Sequence, residues 1–364
     1  MAPAEGAHRA GTGNTPLLAR SRPLVLRSGV TLTTPLLVPS LSSKGFQFRQ
    51  DGLSEVATYL EVARDHLTES LLVSAYDLHH GHLPDADRLL SRDHWSTVYG
   101  APSLLIIDSG GYELSPLWDG SEVYRQQRTV LPFTRQEHEQ LVDRLPRDRD
   151  LLVITYDHLA AGEQRAGYDQ QFAQAAAFFS VRTHVMGEVL LKPPAGKRFV
   201  AARDVAPHAA EMAAFDAVGI TENELGDTLL DRLVAVATLR TRLDEAGVAT
   251  PIHVFGALDP LLVILYFMAG AELFDGLTWL RYGHHAGVSV YRESAGLLDG
   301  DLNAPASLRG AHTQLRYLAA LAELKRTLRR WVELDGEFAV LPHHREELER
   351  AYRAMMSRRQ SEKE

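Results

Sequence analysis

The chain has 364 residues, of which 45% are hydrophobic and 23% charged, and it carries a net charge of −9 at pH 7. That length allows one large domain or two ordinary ones, and the composition is that of a globular protein, not a disordered or collagen-like chain. The absence of cysteine excludes a disulfide framework, a thiolate zinc site, an iron–sulfur cluster and a cysteine nucleophile.

The N-terminal residues 1–22 lack the charged and then apolar pattern of a secretion signal, so we expect a disordered tail there. The longest apolar run, Pro260 to Ala271, is shorter than the roughly 18–20 residues that a membrane span needs. We therefore expect a cytoplasmic protein without a membrane partner.

A hairpin and then eight short apolar runs follow the tail. Leu24–Leu32 predicts the hairpin, with its turn at Ser28 and Gly29. The runs are apolar nearly throughout, which is typical of parallel strands buried on both faces. They are Pro35–Leu41, Ser70–Leu78, Ser103–Tyr112, Asp150–Leu159, Glu188–Lys192, Phe215–Thr221, Ile252–Ala257 and Leu273–Leu280.

Amphipathic stretches between these runs predict helices. Thr134 and Glu137 have the spacing of a capping box at the start of one of them. The others are Leu53–Leu67, Tyr168–Phe179, Leu225–Ala246 and Pro260–Ala269. Strands that alternate with helices indicate an α/β protein with a parallel sheet, and eight units predict a closed (β/α)8 TIM barrel over residues 23–300. A doubly wound open sheet is the alternative.

Residues 301–364 predict a C-terminal helical extension. Its helices are expected at Pro305–Leu334 and Pro342–Met356, with a basic stretch at Lys325–Arg330. This stretch favours a phosphate-bearing polymer as partner, although most charged helices are simply solvated faces.

Polar residues close several of the apolar runs, and a barrel carries its active site at that end of its strands. Asp108, Asp157 and Asp275 lie in three different runs, each directly after a series of apolar residues. One such aspartate alone could simply cap a helix or turn. Three of them predict a shared site, because the strand ends meet at one mouth.

The segment after Asp108 adds a ligand-binding pattern. Ser109, Gly110 and Gly111 form a turn whose glycines allow positive φ and close approach of the backbone to a ligand. Tyr112 then offers a flat face for a planar group.

The HHGH stretch favours a different chemistry. His80 and His82 could bind a divalent metal, with Lys192 and Asp275 completing a metallohydrolase site. That site needs further histidines at later strand ends, and the fifth and sixth runs have none. Solvated loop histidines are the alternative.

Five segments, in order, resemble the tRNA-guanine transglycosylases, barrel enzymes that exchange guanine in a polynucleotide for a 7-deazaguanine. LLIIDSGGYEL is similar to the family's DSGGF segment, and TYDHL to its second base-recognising aspartate. AVGIT, VFGALDP and FDGLTWLR are similar to its Gly-Gly-Leu-Ala, Gly-x-Gly-x-Pro and nucleophile segments. The resemblance spans Pro35 to Gly287 and implies a glycosyltransferase without a cofactor. Because the chain has no cysteine, we also expect it to lack the metal of the family.

The resemblance also implies a role for each matching residue. Asp275 would be the nucleophile and Asp108 the general acid and base. The base, a 7-deazaguanine such as preQ0, would be bound by Tyr112, Asp157, Gly219, Ile220, Thr221 and Phe255. The sugar and phosphates would be bound by Ser109, Gly110, Gly111 and Arg281.

Departures from the family pattern bear on the substrate. The family's zinc subdomain has three cysteines, and this chain has none. Lys192 stands where the family has glutamine, and it could contact the base substituent or a phosphate, or be a solvated lysine. The pattern is closest to relatives that modify DNA, so we expect DNA before tRNA, and a homodimer is compatible with it.

Two further functions stay open beside the metallohydrolase. The first is a small-molecule ribosyltransferase that joins a free 7-deazapurine to a ribosyl phosphate donor, which the acidic charge favours. The second is a binding protein on a degenerate barrel.

Overall fold

The computed structural model describes residues 16–84, 102–115, 129–159, 162–300, 303 and 305–361. Within them, eight parallel strands close into a barrel with helices between them, which confirms the predicted (β/α)8 fold. The last barrel strand pairs with the first, so the sheet has no free edge. The barrel strands are β3 Leu36–Leu41, β4 Ser70–Ser74, β5 Leu104–Asp108, β6 Leu151–Ile154, β7 Met186–Leu191, β8 Ala217–Thr221, β9 Ile252–Phe255 and β10 Leu273–Gly276.

The predicted hairpin is also present, as antiparallel strands β1 Pro23–Val25 and β2 Thr31–Thr33. Leu26 and Leu32 of this hairpin pack into the apolar cluster inside the barrel together with Leu36. Because Leu36 begins β3, the hairpin covers the N-terminal end of the barrel. The C-terminal end is left for a site.

Helices surround the strands, and side-chain caps fix several of their starts. Thr134 and Glu137 form the predicted capping box, and Asp259 accepts from the backbone N–H of Leu261 at 3.0 Å. The helices are α1 Val56–Ala63, α2 Ala75–His79, α3 Gly111–Leu114, α4 Arg135–Arg144, α5 Tyr168–Ser180, α6 Ala202–Val205, α7 Ala209–Met212, α8 Leu229–Glu245, α9 Pro260–Met268, α10 Thr278–Arg281, α11 Arg292–Leu298, α12 Ala306–Glu333 and α13 Arg345–Ser361. A second hairpin, β11 Gly283–His285 and β12 Val288–Val290, follows α10.

Four predicted strands are too long. The run Asp150–Leu159 forms a strand only over Leu151–Ile154. The runs from Ser70, Ser103 and Leu273 continue after β4, β5 and β10 as the short helices α2, α3 and α10. Their apolar residues resemble strand residues because they are buried over the barrel mouth, as Tyr76 and Trp279 are. Asp77, which belongs to the predicted run Ser70–Leu78, therefore lies in a helix and not in a strand.

The C-terminal residues contribute to the barrel wall. Helix α12 packs against α1, α9 and β3, which is the position of the eighth barrel helix, and α13 packs against α8 and α9. Trp331 on α12 is fully buried. Of the expected extension 301–364, residues 301, 302, 304 and 362–364 lie outside the described residues.

The basic stretch of α12 contacts the end of the barrel that is opposite to the mouth. Lys325 pairs with Glu69, which directly precedes β4. Arg329 donates to the carbonyl oxygens of Thr33 and Thr34, which precede β3. These basic groups therefore bind the protein's own chain at the N-terminal rim.

The described part of the expected tail, residues 16–22, contacts the barrel. Leu18 and Ala19 are buried, and Arg22 pairs with Glu272 at 2.5 Å. Residues 1–15 lie outside the described residues. In the described part of the chain, no helix is both long enough and apolar enough to cross a membrane.

Candidate active site

The mouth of the barrel brings the three predicted aspartates together. Asp275 lies on β10 and Asp108 ends β5, while Asp157 follows the neighbouring strand β6. The charges of Asp157 and Asp275 both act on the carboxyl group of Asp108. The structure thus gathers in one site carboxylates that the sequence places 167 and 49 residues apart.

Asp275 is held by hydrogen bonds to both of its carboxylate oxygens. The hydroxyl of Ser40 on β3 donates to Oδ2 at 2.8 Å, and the backbone N–H of Gly256 donates to Oδ1 at 3.0 Å. Trp279 donates to the carbonyl oxygen of Ser40 at 3.0 Å and so fixes that residue. Asp275 as a whole is only 7% exposed, so these donors set the orientation of its carboxylate.

Asp108 differs from Asp275 in that its surroundings disfavour the ionised carboxylate. Burial raises its pKa well above the ordinary value of an aspartate. The negative charges of Glu113, Asp157 and Asp275 raise the same pKa further. Asp108 therefore favours its protonated form more than an ordinary aspartate does. Two carboxyl groups with opposite environments are the arrangement that acid–base and nucleophilic roles require.

The DSGGY turn fixes the third carboxylate, Asp157. The hydroxyl of Ser109 donates to Asp157 Oδ1 at 2.6 Å. Gly110 has φ +84°, and a Cβ at Gly111 would stand 2.1 Å from Asp157 Oδ1. Gly110 is favoured because the backbone has a positive φ there. Gly111 is favoured because a side chain at that position would collide with the carboxylate of Asp157.

Lys192, which the sequence left open, lies in the site beside Asp157. Its ammonium group is 3.0 Å from Asp157 Oδ2, 3.0 Å from Glu224 Oε2 and 2.9 Å from Thr221 Oγ1. Burial opposes ionisation of Asp157, but the charge of Lys192 and the hydroxyl of Ser109 lower its pKa. The site therefore presents an ionised acceptor directly beside a cationic donor.

A cavity of about 670 Å³ opens beside Asp157 and Lys192. It is lined by residues of α4, such as Arg135, and of α5, such as Gln171. Asp108 and Asp275 are not among the residues that line it, so the cavity reaches the pair of Asp157 and Lys192 from the side of α4 and α5.

Strands β8 and β9 supply the other residues predicted to contact a base. Ile220 packs in the apolar core outside the barrel, so it can offer a ligand only its backbone. The Thr221 hydroxyl accepts from Lys192. Phe255 is 8% exposed and stacks on His253, with 3.9 Å between ring centroids. A Cβ at Gly219 would stand 2.2 Å from the Phe255 ring, so this glycine makes room for the aromatic side chain.

Tyr112 and Arg281, the predicted stacking and phosphate-binding residues, are in contact. Arg281 donates to the Tyr112 hydroxyl at 3.0 Å and to the carbonyl oxygen of Lys44 at 3.2 Å. The Lys44 ammonium lies 4.3 Å from the centre of the Tyr112 ring. Arg281 also borders a cavity of about 340 Å³ that Arg292 and Arg309 line.

Two buried ionisable residues near Asp275 did not enter the sequence-based prediction. Glu188 of β7 and His253 of β9 are both 0% exposed. His253 Nδ1 is 2.9 Å from Glu188 Oε1. Both residues interrupt apolar runs, MGEVLL and IHVF, and that interruption is the signal that could have identified them.

The histidines of the HHGH stretch have other contacts. His82 Nδ1 is 3.0 Å from Asp77 Oδ1, and His80 Nε2 is 3.1 Å from the carbonyl oxygen of Pro132. Among the residues that the structure describes, no group of three or more His, Asp or Glu side chains could hold a metal ion. The described donors therefore give no support to the metallohydrolase hypothesis.

Neither the models of known protein families nor the curated protein sequences compared with this chain match it.

Proposed function

We propose that the chain is a base-exchange transglycosylase that replaces guanine in a polynucleotide with a 7-deazaguanine base. One observation carries this proposal: two aspartates at the same barrel mouth have opposite environments. Asp275 is surrounded by hydrogen-bond donors, whereas the pKa of Asp108 is raised by burial. The ordered resemblance to the tRNA-guanine transglycosylases supports the same function.

In the proposed reaction Asp275 attacks C1′ of the sugar as the bond from C1′ to guanine breaks. The electron pair of that bond leaves with guanine, which takes the proton of Asp108. A covalent sugar ester on Asp275 results. The incoming base then gives a proton to Asp108 and attacks C1′, and the electrons of the ester bond return to the Asp275 carboxylate. Two inversions retain the configuration at C1′.

The pair formed by Asp157 and Lys192 supports a guanine-like base. A lactam presents an N–H donor and a carbonyl acceptor side by side. Asp157 can accept from that N–H, and Lys192 can donate to that carbonyl, because the two groups are 3.0 Å apart. A base with an amino group in place of the carbonyl would face the Lys192 ammonium with a second donor.

The partner that we propose first is a polynucleotide, with DNA ahead of tRNA. Arg281, Arg292 and Arg309 line one cavity, together with Glu55 and Glu293, and these arginines are the groups that we propose to contact the phosphates. The proposed enzyme acts in the cytoplasm and needs no cofactor.

A small-molecule ribosyltransferase is the second candidate. It is favoured by the position of Lys325 and Arg329, which bind the opposite rim of the barrel instead of extending the site towards a polymer.

The proposal is tested by incubating the protein with labelled guanine and one of three donors: duplex DNA, tRNA or a ribosyl phosphate. We expect the label to enter duplex DNA. Label in a free nucleoside formed from the ribosyl phosphate would establish the second candidate instead. No transfer to any of the three donors would contradict base exchange.

A further inference from the structure

An ion pair inside the barrel lies directly behind the proposed nucleophile. His253 Nδ1 is 2.9 Å from Glu188 Oε1, and both side chains are 0% exposed. Burial opposes a charge on His253, but the neighbouring carboxylates of Glu188 and Asp275 raise its pKa to about 10. The imidazole is therefore a cation at neutral pH.

This pair is costly for stability, and packing does not explain it. Barrel interiors are usually filled by branched apolar side chains, and moving two charged groups out of water carries a large desolvation penalty. The strand between the pair leaves room for it, since a Cβ at Gly219 would stand 2.6 Å from Glu188 Oε1. Two polar atoms, Glu188 Oε2 and His253 Nε2, are buried without a hydrogen-bond partner. Unsatisfied groups of this kind call for a functional explanation.

The other side of the imidazole faces Asp275. His253 Nε2 is 3.4 Å from Asp275 Oδ1, the oxygen that also accepts from the backbone N–H of Gly256. At this distance the contact is an ion pair, and the hydrogen bonds to Asp275 come from Gly256 and Ser40. The charges therefore alternate across the barrel, from Glu188 through His253 to Asp275.

We propose that His253 and Glu188 are positioning residues that make the Asp275 carboxylate a good leaving group in the second half of the exchange. This inference rests on the proposed base exchange and extends it to residues outside the resemblance. Glu188 keeps the imidazole charged and balances its charge, so that the cation does not repel the positive sugar in the transition state.

The positive charge of His253 is expected to accelerate the second half-reaction of the exchange more than the first. In the first, Asp275 attacks as a carboxylate and keeps most of that negative charge in the oxocarbenium-like transition state, so the His253 cation stabilises both states. In the second, the starting state is a neutral ester, and the cation stabilises only the carboxylate that forms as the bond from C1′ to Asp275 breaks. Ester breakdown should therefore depend on His253 more than ester formation does.

The test separates these half-reactions in His253→Gln and in the double variant His253→Gln with Glu188→Gln. Ester formation is followed as denaturation-resistant attachment of the substrate in the absence of an incoming base, and breakdown as its loss when the base is added. We expect breakdown to slow by about 10-fold to 100-fold in both variants, and formation by less. The ester should consequently accumulate during turnover.

The double variant also controls for the charge that His253→Gln leaves unbalanced on Glu188. If only the imbalance mattered, the double variant would restore breakdown, and the inference would be wrong. Equal slowing of both half-reactions would likewise contradict it, because it would indicate a purely structural role. A wild-type protein that forms no ester at all would instead refute the base-exchange function.

Glu188→Gln alone gives a second readout that does not require loss of the histidine. The charged groups facing His253 are Glu188 on β7 and Asp275 on β10, while β8 presents Gly219. Once the ester has removed the charge of Asp275, Glu188→Gln leaves His253 without a carboxylate partner. We expect ester breakdown in this variant to fall as the pH rises through the neutral range. The same dependence of ester breakdown on pH as in the wild type would overturn the inference.

Discussion

At the scale of single residues, the ion pair between Asp157 and Lys192 is the contact on which the proposed recognition of a guanine-like base rests. Asp108, Asp157 and Asp275 were predicted because they end apolar runs. Lys192 also follows such a run, but its ion pair with Asp157 joins two strands and has no local signature. Pairings of this kind depend on the closure of the barrel.

The first prediction concerns a substitution of Lys192 and the binding of guanine. Lys192→Met removes the donor beside Asp157, so binding of guanine should weaken by roughly 10-fold to 100-fold, the usual contribution of a hydrogen bond to a charged group. Binding of 2,6-diaminopurine, which has an amino group in place of the carbonyl, should change much less. Equilibrium titration with the two bases measures the ratio.

Lys192→Gln is the matched control, because its amide keeps a donor and it should retain part of the preference for guanine. If Lys192→Met weakens binding of both bases equally, Lys192 only balances the charges of Asp157 and Glu224.

At the scale of elements, the strands were predicted correctly but several of their ends were not. Periodicity cannot separate a buried strand residue from a buried residue in the short helix that follows it, as Tyr76 in α2 shows. The turn after β5 was better defined, since Gly110 and Gly111 mark it in the sequence. That Gly111 contacts Asp157 could not be predicted, because a loop after another strand makes the contact.

The second prediction concerns a substitution in the DSGGY turn and its effect on base affinity and stability. In Gly111→Ala the new Cβ would stand 2.1 Å from Asp157 Oδ1, so the carboxylate must move. We expect at least about a 10-fold loss of base affinity and a destabilisation of about 1–3 kcal/mol, measured by titration and by denaturant unfolding.

Gly167→Ala is its control, since a Cβ at Gly167 has nothing within 4 Å and its φ is −67°. An unchanged base affinity in Gly111→Ala would show that the turn does not hold Asp157 in its binding position.

At the scale of the whole molecule, the barrel could be predicted from the number and order of the apolar runs, but the role of α12 could not. Its sequence indicates a helix with a basic stretch, and only the contacts with α1 and α9 show that it completes the wall. The ion pair of Lys325 with Glu69 and the hydrogen bond of Arg329 to Thr34 place both basic residues at the end of the barrel away from Asp275.

That position leads to a prediction about the polymer. Neutralising Lys325 and Arg329 to glutamine should leave the KM for a polynucleotide within about twofold, while Arg281→Gln at the mouth should raise it and reduce its salt dependence. Steady-state kinetics at two salt concentrations measure both effects. A large increase of KM in the Lys325 and Arg329 variant would mean that the polymer reaches the opposite rim.

The account depends most on a covalent ester between C1′ and Asp275. The direct measurement is the mass of the protein after denaturation, taken after incubation with a guanine-containing donor in the absence of an incoming base. We predict a protein species carrying the donor, which disappears when the base is added and is never formed by Asp275→Asn. Exchange without such a species in the wild type, or the same species in Asp275→Asn, would contradict the account.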